Sequence, residues 1–273
     1  SSDLTGFVDT DNNNVNLRLA TVAALTMTYF DDDWLPAGMA TEAAGASVTI
    51  STPGKKLQVP STSHTKDYFT IDDFHDDINH ATLINDARIS QVTIDVSPGA
   101  HATISFQFLG LDCEYGTIQY FSSPTAAPTG ALLAGPEGLL NYNGTDSAVV
   151  TSFQLTIGSD AQVKGVVGAN VSPDVFAPGV KVTGSLSSLF DGGAFLTSFE
   201  AGTEAPLFLY LFADTTKNSE FLIIKIPNSK ILTGDKGADG PAQTLSGTFS
   251  GGKLASSTTQ ETTSIVIHDS SVT

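Results

Sequence analysis

Hydrophobic and polar positions alternate with a period of two along much of the chain from residue 89 onward. In ISQVTIDV (89–96), Val92, Ile94 and Val96 fall on one side and Gln91, Thr93 and Asp95 on the other, the mark of a half-buried strand. After the turn signal Ser97-Pro98-Gly99, ATISFQF (102–108) repeats the pattern, with Ile104, Phe106 and Phe108 opposed to Thr103, Ser105 and Gln107. The two runs predict a β-hairpin over 89–110. Farther on, TSFQLTI (151–157) sets Phe153, Leu155 and Ile157 against Ser152, Gln154 and Thr156. VKVTGSLSSLF (180–190) sets Val180, Val182 and Leu186 against Lys181, Thr183, Ser185 and Ser187. A linker rich in glycine and proline, 158–179, joins them, so 150–190 holds a second strand pair of similar pattern, a weak internal repeat.

Other stretches lose the alternation. LFLYLF (207–212) and FLIIKI (221–226) are nearly continuous apolar runs, as expected of strands buried on both faces. QTLSGTF (243–249) and SIVIH (264–268) are fainter strand signals. AFLTSFEA (194–201) places Phe195, Leu196 and Phe199 at helical spacing and predicts one short helix. The first eighty residues are less regular. Leu17–Thr28 is a strand candidate, a break follows at Asp31-Asp32-Asp33 with Trp34-Leu35-Pro36, and Val48–Ser51 and Lys56–Val59 are short strand candidates. Two long irregular regions, 31–47 and 111–147, exceed ordinary loop length, which in compact domains marks functional or disordered segments.

Composition bounds what such a chain does. With 273 residues it fits one large all-β domain or two ordinary ones. Acids outnumber bases 29 to 12, a formal net charge of −17, and the only arginines are Arg18 and Arg88. That field repels nucleic acid and anionic membranes and argues against a DNA-gripping role. Cys113 stands alone, so no internal disulfide framework exists. The opening SSDLTGFVDTDNNN lacks the basic-then-apolar pattern of a signal peptide. No window reaches the ~18 apolar residues of a membrane span, and a soluble protein is expected.

Chemistry-bearing motifs are weak. TIDDFHDDINH (70–80) gathers Asp72, Asp73, Asp76 and Asp77 with His75 and His80. The histidines are five apart with no glutamate beside them, which is not zinc-helix grammar. An acidic turn or helix start facing water is favoured over a calcium site. Asp9, Asp11 and Asn13 imitate the start of a calcium loop, but Asn14 stands where that loop needs Gly and Ala20 where it needs a bidentate Glu. No Gly-x-Ser-x-Gly is present, Cys113 lies between Asp112 and Glu114, which disfavour a thiolate, and GDKGADG (234–240) lacks the Gly-Lys-Ser/Thr ending of a phosphate loop. The last reads as an exposed turn, and Asn143-Gly144-Thr145 as a formal glycosylation acceptor. No enzyme, catalytic residue, metal site or cofactor is expected.

The ordered series of strands carries a resemblance. ISQVTIDVSPGAHATISFQFLG (89–110) resembles the first core hairpin of the tail tube (major tail) proteins of long-tailed phages and archaeal tailed viruses. The likeness continues through VVTSFQLTIGSD (149–160), VKVTGSLSSLFDGG (180–193), AFLTSFEAGTEAPLFLYL and IKIPNSKILTGDKGADGPAQTLSGTF, and covers roughly 65–268. It implies an all-β fold: a β-sandwich or open barrel of antiparallel strands with one short flanking α-helix near 194–201 and long loops. Residues 65–273 would be that core, with strands over 207–268. Residues 1–64 would be an N-terminal extension packed on the same domain. The resemblance further implies six copies per ring and rings stacked into a tube through which viral DNA reaches the host. Two hairpins per copy would contribute to a barrel around the channel.

On that reading the channel-lining candidates are Gln91, Thr93, Asp95, Thr103, Ser105, Gln107, Ser152, Gln154, Thr156, Lys181, Thr183, Ser185 and Ser187. They are short, hydroxyl- or amide-bearing and almost uncharged, so they offer phosphates few cationic anchors. A six-copy ring would also carry ~−100 charges, opposing adhesion within the ~8 Å screening length. The implied partners are further copies of the chain, the tape measure, tail terminator and distal tail proteins, and DNA in passage without specific binding; no membrane is involved. The implied place is the virion tail, after synthesis in the host cytoplasm. Segments 31–64 and 111–147 are candidates for contacts between copies. The competing readings are a secreted or cell-surface β-sandwich binding carbohydrate or Ca²⁺, and a capsid-decorating protein. One Trp, with most Phe at apparent core positions, argues against a carbohydrate-binding face.

Overall fold

The computed structural model describes residues 2–5, 15–17, 19–23, 26–29, 49–51, 54–59, 65–123, 132, 133, 135, 138–147, 150–189, 197, 200–213, 220–239, 242–254 and 261–271. Its strands, in chain order, begin with β1 (Ser2–Thr5), β2 (Val15–Leu17), β3 (Leu19–Ala23), β4 (Thr26–Tyr29), β5 (Thr49–Ser51), β6 (Lys55–Gln58) and β7 (Phe69–His75). Next come β8 (His80–Val96), β9 (Thr103–Leu109), β10 (Asp112–Gly116), β11 (Gly138–Tyr142), β12 (Thr145–Ser147) and β13 (Val150–Gly158). The series closes with β14 (Gln162–Val163), β15 (Val175–Phe176), β16 (Lys181–Leu189), β17 (Glu204–Phe212), β18 (Phe221–Asp239), β19 (Ala242–Gly252) and β20 (Val266–Asp269).

Thirteen of these strands form one open antiparallel sheet, and the long strands β8 and β18 organise it. The distal part of β18 pairs with β19, and the order continues β19-β16-β13-β8-β9. The proximal part of β18 lies between β17 and β20, with β11 and β12 beyond β17 and β6 beyond β20. The sheet thus has two wings joined through β18. Ser229, fully buried at the crossover, satisfies its hydroxyl by donating to the Ala205 carbonyl at 2.7 Å.

The wings share one core. Ile94, Val96, Phe153, Leu155, Val182, Leu186 and Phe249 from the first wing pack with Leu140, Leu207, Leu209, Leu211, Leu222, Ile224 and Ile226 from the second. Removing each such side chain from water contributes roughly 1.5–3 kcal/mol, which makes this layer the main source of stability. Phe153 and Phe249 stack at 5.6 Å, and Gly184 leaves room for them: a Cβ there would lie 2.3 Å from Phe249 Cζ. The second wing is apolar on its other face as well, where Leu139, Tyr210, Phe212, Phe221 and Ile223 form a separate buried cluster. The continuous runs at 207–212 and 221–226 are therefore strands buried on both faces, as their composition predicts.

Beyond the first wing, the N-terminal half of β8 pairs with β7 and β10. Asp86, with φ of +50°, sits where β8 passes from these partners to β9 and β13, a left-handed kink that redirects the strand. Smaller sheets join β1 with β2 and β5, β3 with β4, and β14 with β15.

Several expectations change here. The acidic stretch 70–80 is a turn only in part: β7 occupies Phe69–His75, because Ile71 and Phe74 find backbone partners in β8, while Asp76 and Asp77 sit in the exposed turn that leads into β8. GDKGADG is not an exposed turn, since β19 pairs with β18 as far as Asp239. Segment 111–147 contributes the strands β10, β11 and β12. Asn143-Gly144 forms the β11–β12 turn, and both residues take the positive φ that this dipeptide tolerates. No helix is among the described elements. The one expected near 194–201 falls largely on residues outside those described, with an Ala201 N–H to Thr197 carbonyl bond at its end. Asp9–Asn13 and the whole of 31–47, with Asp31–Pro36, also lie outside the described residues.

Candidate functional site: a polar face on four adjacent strands

Strand order and register bring the thirteen sequence-picked polar residues onto one face. The strands that carry them are neighbours, in the order β9-β8-β13-β16. Directly opposed residues of an antiparallel pair point to the same side, so the register can be read across as rows. One row runs Ser105–Thr93–Thr156–Thr183 and the next Thr103–Asp95–Gln154–Ser185. Gln107 opposes Gln91, and Ser152 opposes Ser187. Gln91 faces Gly158, which faces Lys181.

A register slip of one residue in β8, β13 or β16 would turn its polar set into the core. The opposing face prevents that, because Ile94, Phe153, Leu155, Val182 and Leu186 are all buried. Two bulges adjust the pairing. One, between Ile89 and Gln91, leaves Ser90 outside the β9 ladder, and its carbonyl accepts the Ser159 N–H at 2.9 Å. The other lies between Val150 and Ser152.

The face is close to neutral. Its two ionisable residues, Asp95 and Lys181, both have local partners: Gln154 Nε2 donates to Asp95 Oδ1 at 2.6 Å, and Lys181 forms an ion pair with Asp160. Gln91 Nε2 donates to Thr93 Oγ1 at 3.2 Å. The rest are hydroxyls and amides, exposed or half-buried. Such a surface holds water well and offers no cluster of cations to a phosphate chain.

Sequence reasoning stopped short of the face's full width. β19 adds Ser250, Thr248 and Ser246 opposite Thr183, Ser185 and Ser187, and β18 adds Thr233 and Asp235. Thr233 and Thr248 share a hydrogen bond of 2.8 Å. The clue was present in Ser246 and Thr248 alternating with Leu245, Gly247 and Phe249.

Two charged groups fix the surroundings. Asp174 accepts hydrogen bonds from Lys66 and from Tyr68 (2.8 Å), which hold its carboxyl below the ordinary value. Next to it, Arg88 donates to the Val175 carbonyl at 2.6 Å and lies 5.8 Å from the centre of the Tyr68 ring. Together they tie the 158–179 linker to the base of β8. In the acidic stretch, Asp72 Oδ2 accepts the N–H groups of Tyr120 and Phe121, each at 3.0 Å, and His75 Nε2 lies 3.5 Å from Asp73 Oδ2. His80 stacks on Tyr115 at 6.0 Å. Among the described residues no three His, Cys, Asp or Glu side chains are grouped to hold a metal ion. Asp72 therefore acts as a loop anchor.

Comparison with known proteins gives one family. The model described as phage tail tube protein matches residues 16–251. No curated protein matches the chain.

Proposed function

The chain belongs to the phage tail tube protein family, and we propose that the polar face of β9, β8, β13 and β16 lines the lumen of the tube it builds. Membership makes the protein a structural, self-assembling component of the virion rather than an enzyme. The carbohydrate- or calcium-binding surface sandwich gives way to that match.

The observation that carries the lumen reading is the in-register polar face, which behind β8, β13 and β16 is backed by a buried apolar layer. A channel wall for DNA needs those properties: it must be hydrated, unable to grip phosphates, and rigid from behind. Hydroxyls and amides meet the first need. The second follows from paired charges in a chain of net charge −17, whose like-signed field repels the duplex over the screening length. The shared core meets the third.

On this reading six copies close a ring, and rings stack into the tube within the virion tail after synthesis in the host cytoplasm. The tape measure, terminator and distal tail proteins then meet its lumen and its two ends. Segments 31–64 and 111–147, including the loop pinned by Asp72, supply contacts between copies. Electron microscopy of the concentrated protein tests the assembly, with striated tubes and six-fold end views expected. Single cysteines at Ser105, Thr156 and Thr183, in a Cys113→Ser background, test the face. They should stay reactive in assembled tubes toward a small uncharged maleimide and react poorly with one too bulky to enter. Equal reaction with both reagents would place the face outside the channel.

A further inference from the structure

The triplet Asn143-Gly144-Thr145 plays no part in the tube reading, and it holds the chain's one Asn-Gly step. Strand pairing sets Tyr142 opposite Thr145, so Asn143 and Gly144 alone make the two-residue turn between β11 and β12. Both take positive φ, +52° and +79°, the geometry for which this dipeptide is the preferred sequence. Both are exposed, and nothing lies within 4 Å of where a Cβ on Gly144 would stand. Asparagine is a chemically labile residue. Its side-chain amide is most open to attack by the next backbone nitrogen when glycine follows, because glycine has no Cβ to shield that nitrogen.

The reaction needs only water and base. The Gly144 nitrogen gives up its proton and bonds to Asn143 Cγ. The bond from Cγ to Nδ2 breaks, and Nδ2 takes a proton and leaves as ammonia, which closes a five-membered imide. Water then opens the ring at either carbonyl, to aspartate or to isoaspartate, whose main chain runs through the side chain. One water is consumed and one ammonia released, with no change of oxidation state. Either product adds negative charge to a chain already at −17. Isoaspartate also adds a main-chain carbon, which a two-residue turn cannot absorb without losing the register it sets.

The fold opposes the first step. The Gly144 N–H donates to Asn141 Oδ1 at 3.1 Å, and the Asn143 N–H donates to the Pro206 carbonyl at 3.0 Å. Asn141 is only 5% exposed, on a strand held between β12 and β17, so its acceptor oxygen stays in place. Buried polar side chains are kept where they have partners, and the turn is one of them. To attack, the Gly144 nitrogen must release Asn141 and swing toward Asn143 Cγ while the backbone on either side is pinned. We propose that Asn143 is the site of spontaneous deamidation in this chain, and that Asn141 is the positioning residue that slows it by holding the Gly144 N–H. A virion component is not renewed after assembly, so change at this turn accumulates and frees β12 from β11.

The test follows the single chain, so its result stands apart from tube assembly. The full chain is held in mildly alkaline buffer, and conversion of each asparagine is read over weeks by peptide mass spectrometry. Asn143 should convert first. Asn141→Ala should speed that conversion roughly two- to tenfold, the factor that one neutral hydrogen bond is worth. Asn141→Asp, which keeps an acceptor oxygen, should convert no faster than the wild type. The wild-type chain in urea should convert faster than it does folded. Hydrogen exchange at the Gly144 amide needs no variant, and it should be slowed in the folded wild type. Exchange at the rate of a free amide would overturn the role of Asn141. So would equal conversion of folded and urea-unfolded chains, or acceleration by Asn141→Asp as large as by Asn141→Ala. Conversion of another asparagine ahead of Asn143 in the folded chain would overturn the site itself.

Discussion

The two wings of the sheet differ in what their strands touch. In the first, the strands inside the β9 edge have a wet face and a dry one: Thr183 opposes Thr156 on one side of the pair while Val182 opposes Ile157 on the other. At the centre of the second, where β17 pairs with β18, both faces are dry, with Leu209 and Ile224 in the shared core and Tyr210 and Ile223 in the second cluster. The difference separates roles. A wing buried on both faces is a scaffold, set by packing alone and closed to solvent chemistry. A wing buried on one face can display a chosen surface, and the scaffold holds that surface rigid.

The sharpest way to break the comparison is to weaken the scaffold. Ile224→Ala, at a fully buried position of β18, should cost about 2–5 kcal/mol in urea unfolding, the usual range for such a truncation with its residual cavity. A smaller loss comes from the seam between the wings. A Cβ at Gly184 would lie 2.3 Å from Phe249 Cζ and 2.4 Å from the Gln154 carbonyl oxygen, so Gly184→Ala should cost about 1–3 kcal/mol by overpacking. It should also move Phe249 off Phe153, which near-ultraviolet circular dichroism would register. An unaltered melting curve would mean that the aromatic seam is loose.

Legibility in the sequence divides along the same line. Strict alternation in 89–108, 151–157 and 180–190 exposed the first wing and its polar residues, because one wet face leaves a period of two. Register, however, is a property of pairs of strands, so nothing in the chain itself placed β13 beside β8, or β19 beside β16 despite the alternation at 245–249. The expectation that Phe106 and Phe108 are core failed for a related reason. Alternation says which residues share a face but not whether another layer lies over it, and on the edge strand β9 both side chains are exposed. The 70–80 stretch was legible in half: Asp76 and Asp77 do sit in an exposed turn, while Asp72 and Asp73 are in a strand for which β8 supplies the partner. GDKGADG was misread, its glycines outweighed by a long pairing with β19.

Acid should weaken the second wing through one bridge. Glu261 bridges Lys56 of β6 and Lys225 of β18, each at 2.5 Å, and Lys225 Nζ lies 5.2 Å from the centre of the Phe208 ring. Burial raises the Glu261 pKa, but the hydrogen bonds from Lys225 and Lys56 outweigh it and hold the carboxyl at about 2 instead of 4.5. A carboxyl depressed in the folded state contributes stability above its unfolded pKa, and that contribution is lost as pH falls through the folded one. The advantage of the wild type over Glu261→Gln should therefore be full at pH 6 and shrink between pH 4.5 and about 2. A gap independent of pH across that window would show that the bridge contributes no charge-dependent stability.

The smallest effect is expected on the polar face, where it discriminates most. Thr183→Val keeps shape and β-branching but removes a hydroxyl from an exposed position between Thr156 and Ser250. If the face meets water, no buried partner is left unsatisfied, and folding stability should change by no more than about 0.5 kcal/mol. If the face instead packs against protein within one copy, adding a methyl group and deleting a hydroxyl would shift the urea midpoint well outside that range. Near-neutral stability in the single chain, combined with tubes that still form, would assign the face to hydration rather than to folding. Fold stability would then leave its residues free to be chosen for what passes over them, and the apolar layer behind would hold the register that keeps them aligned.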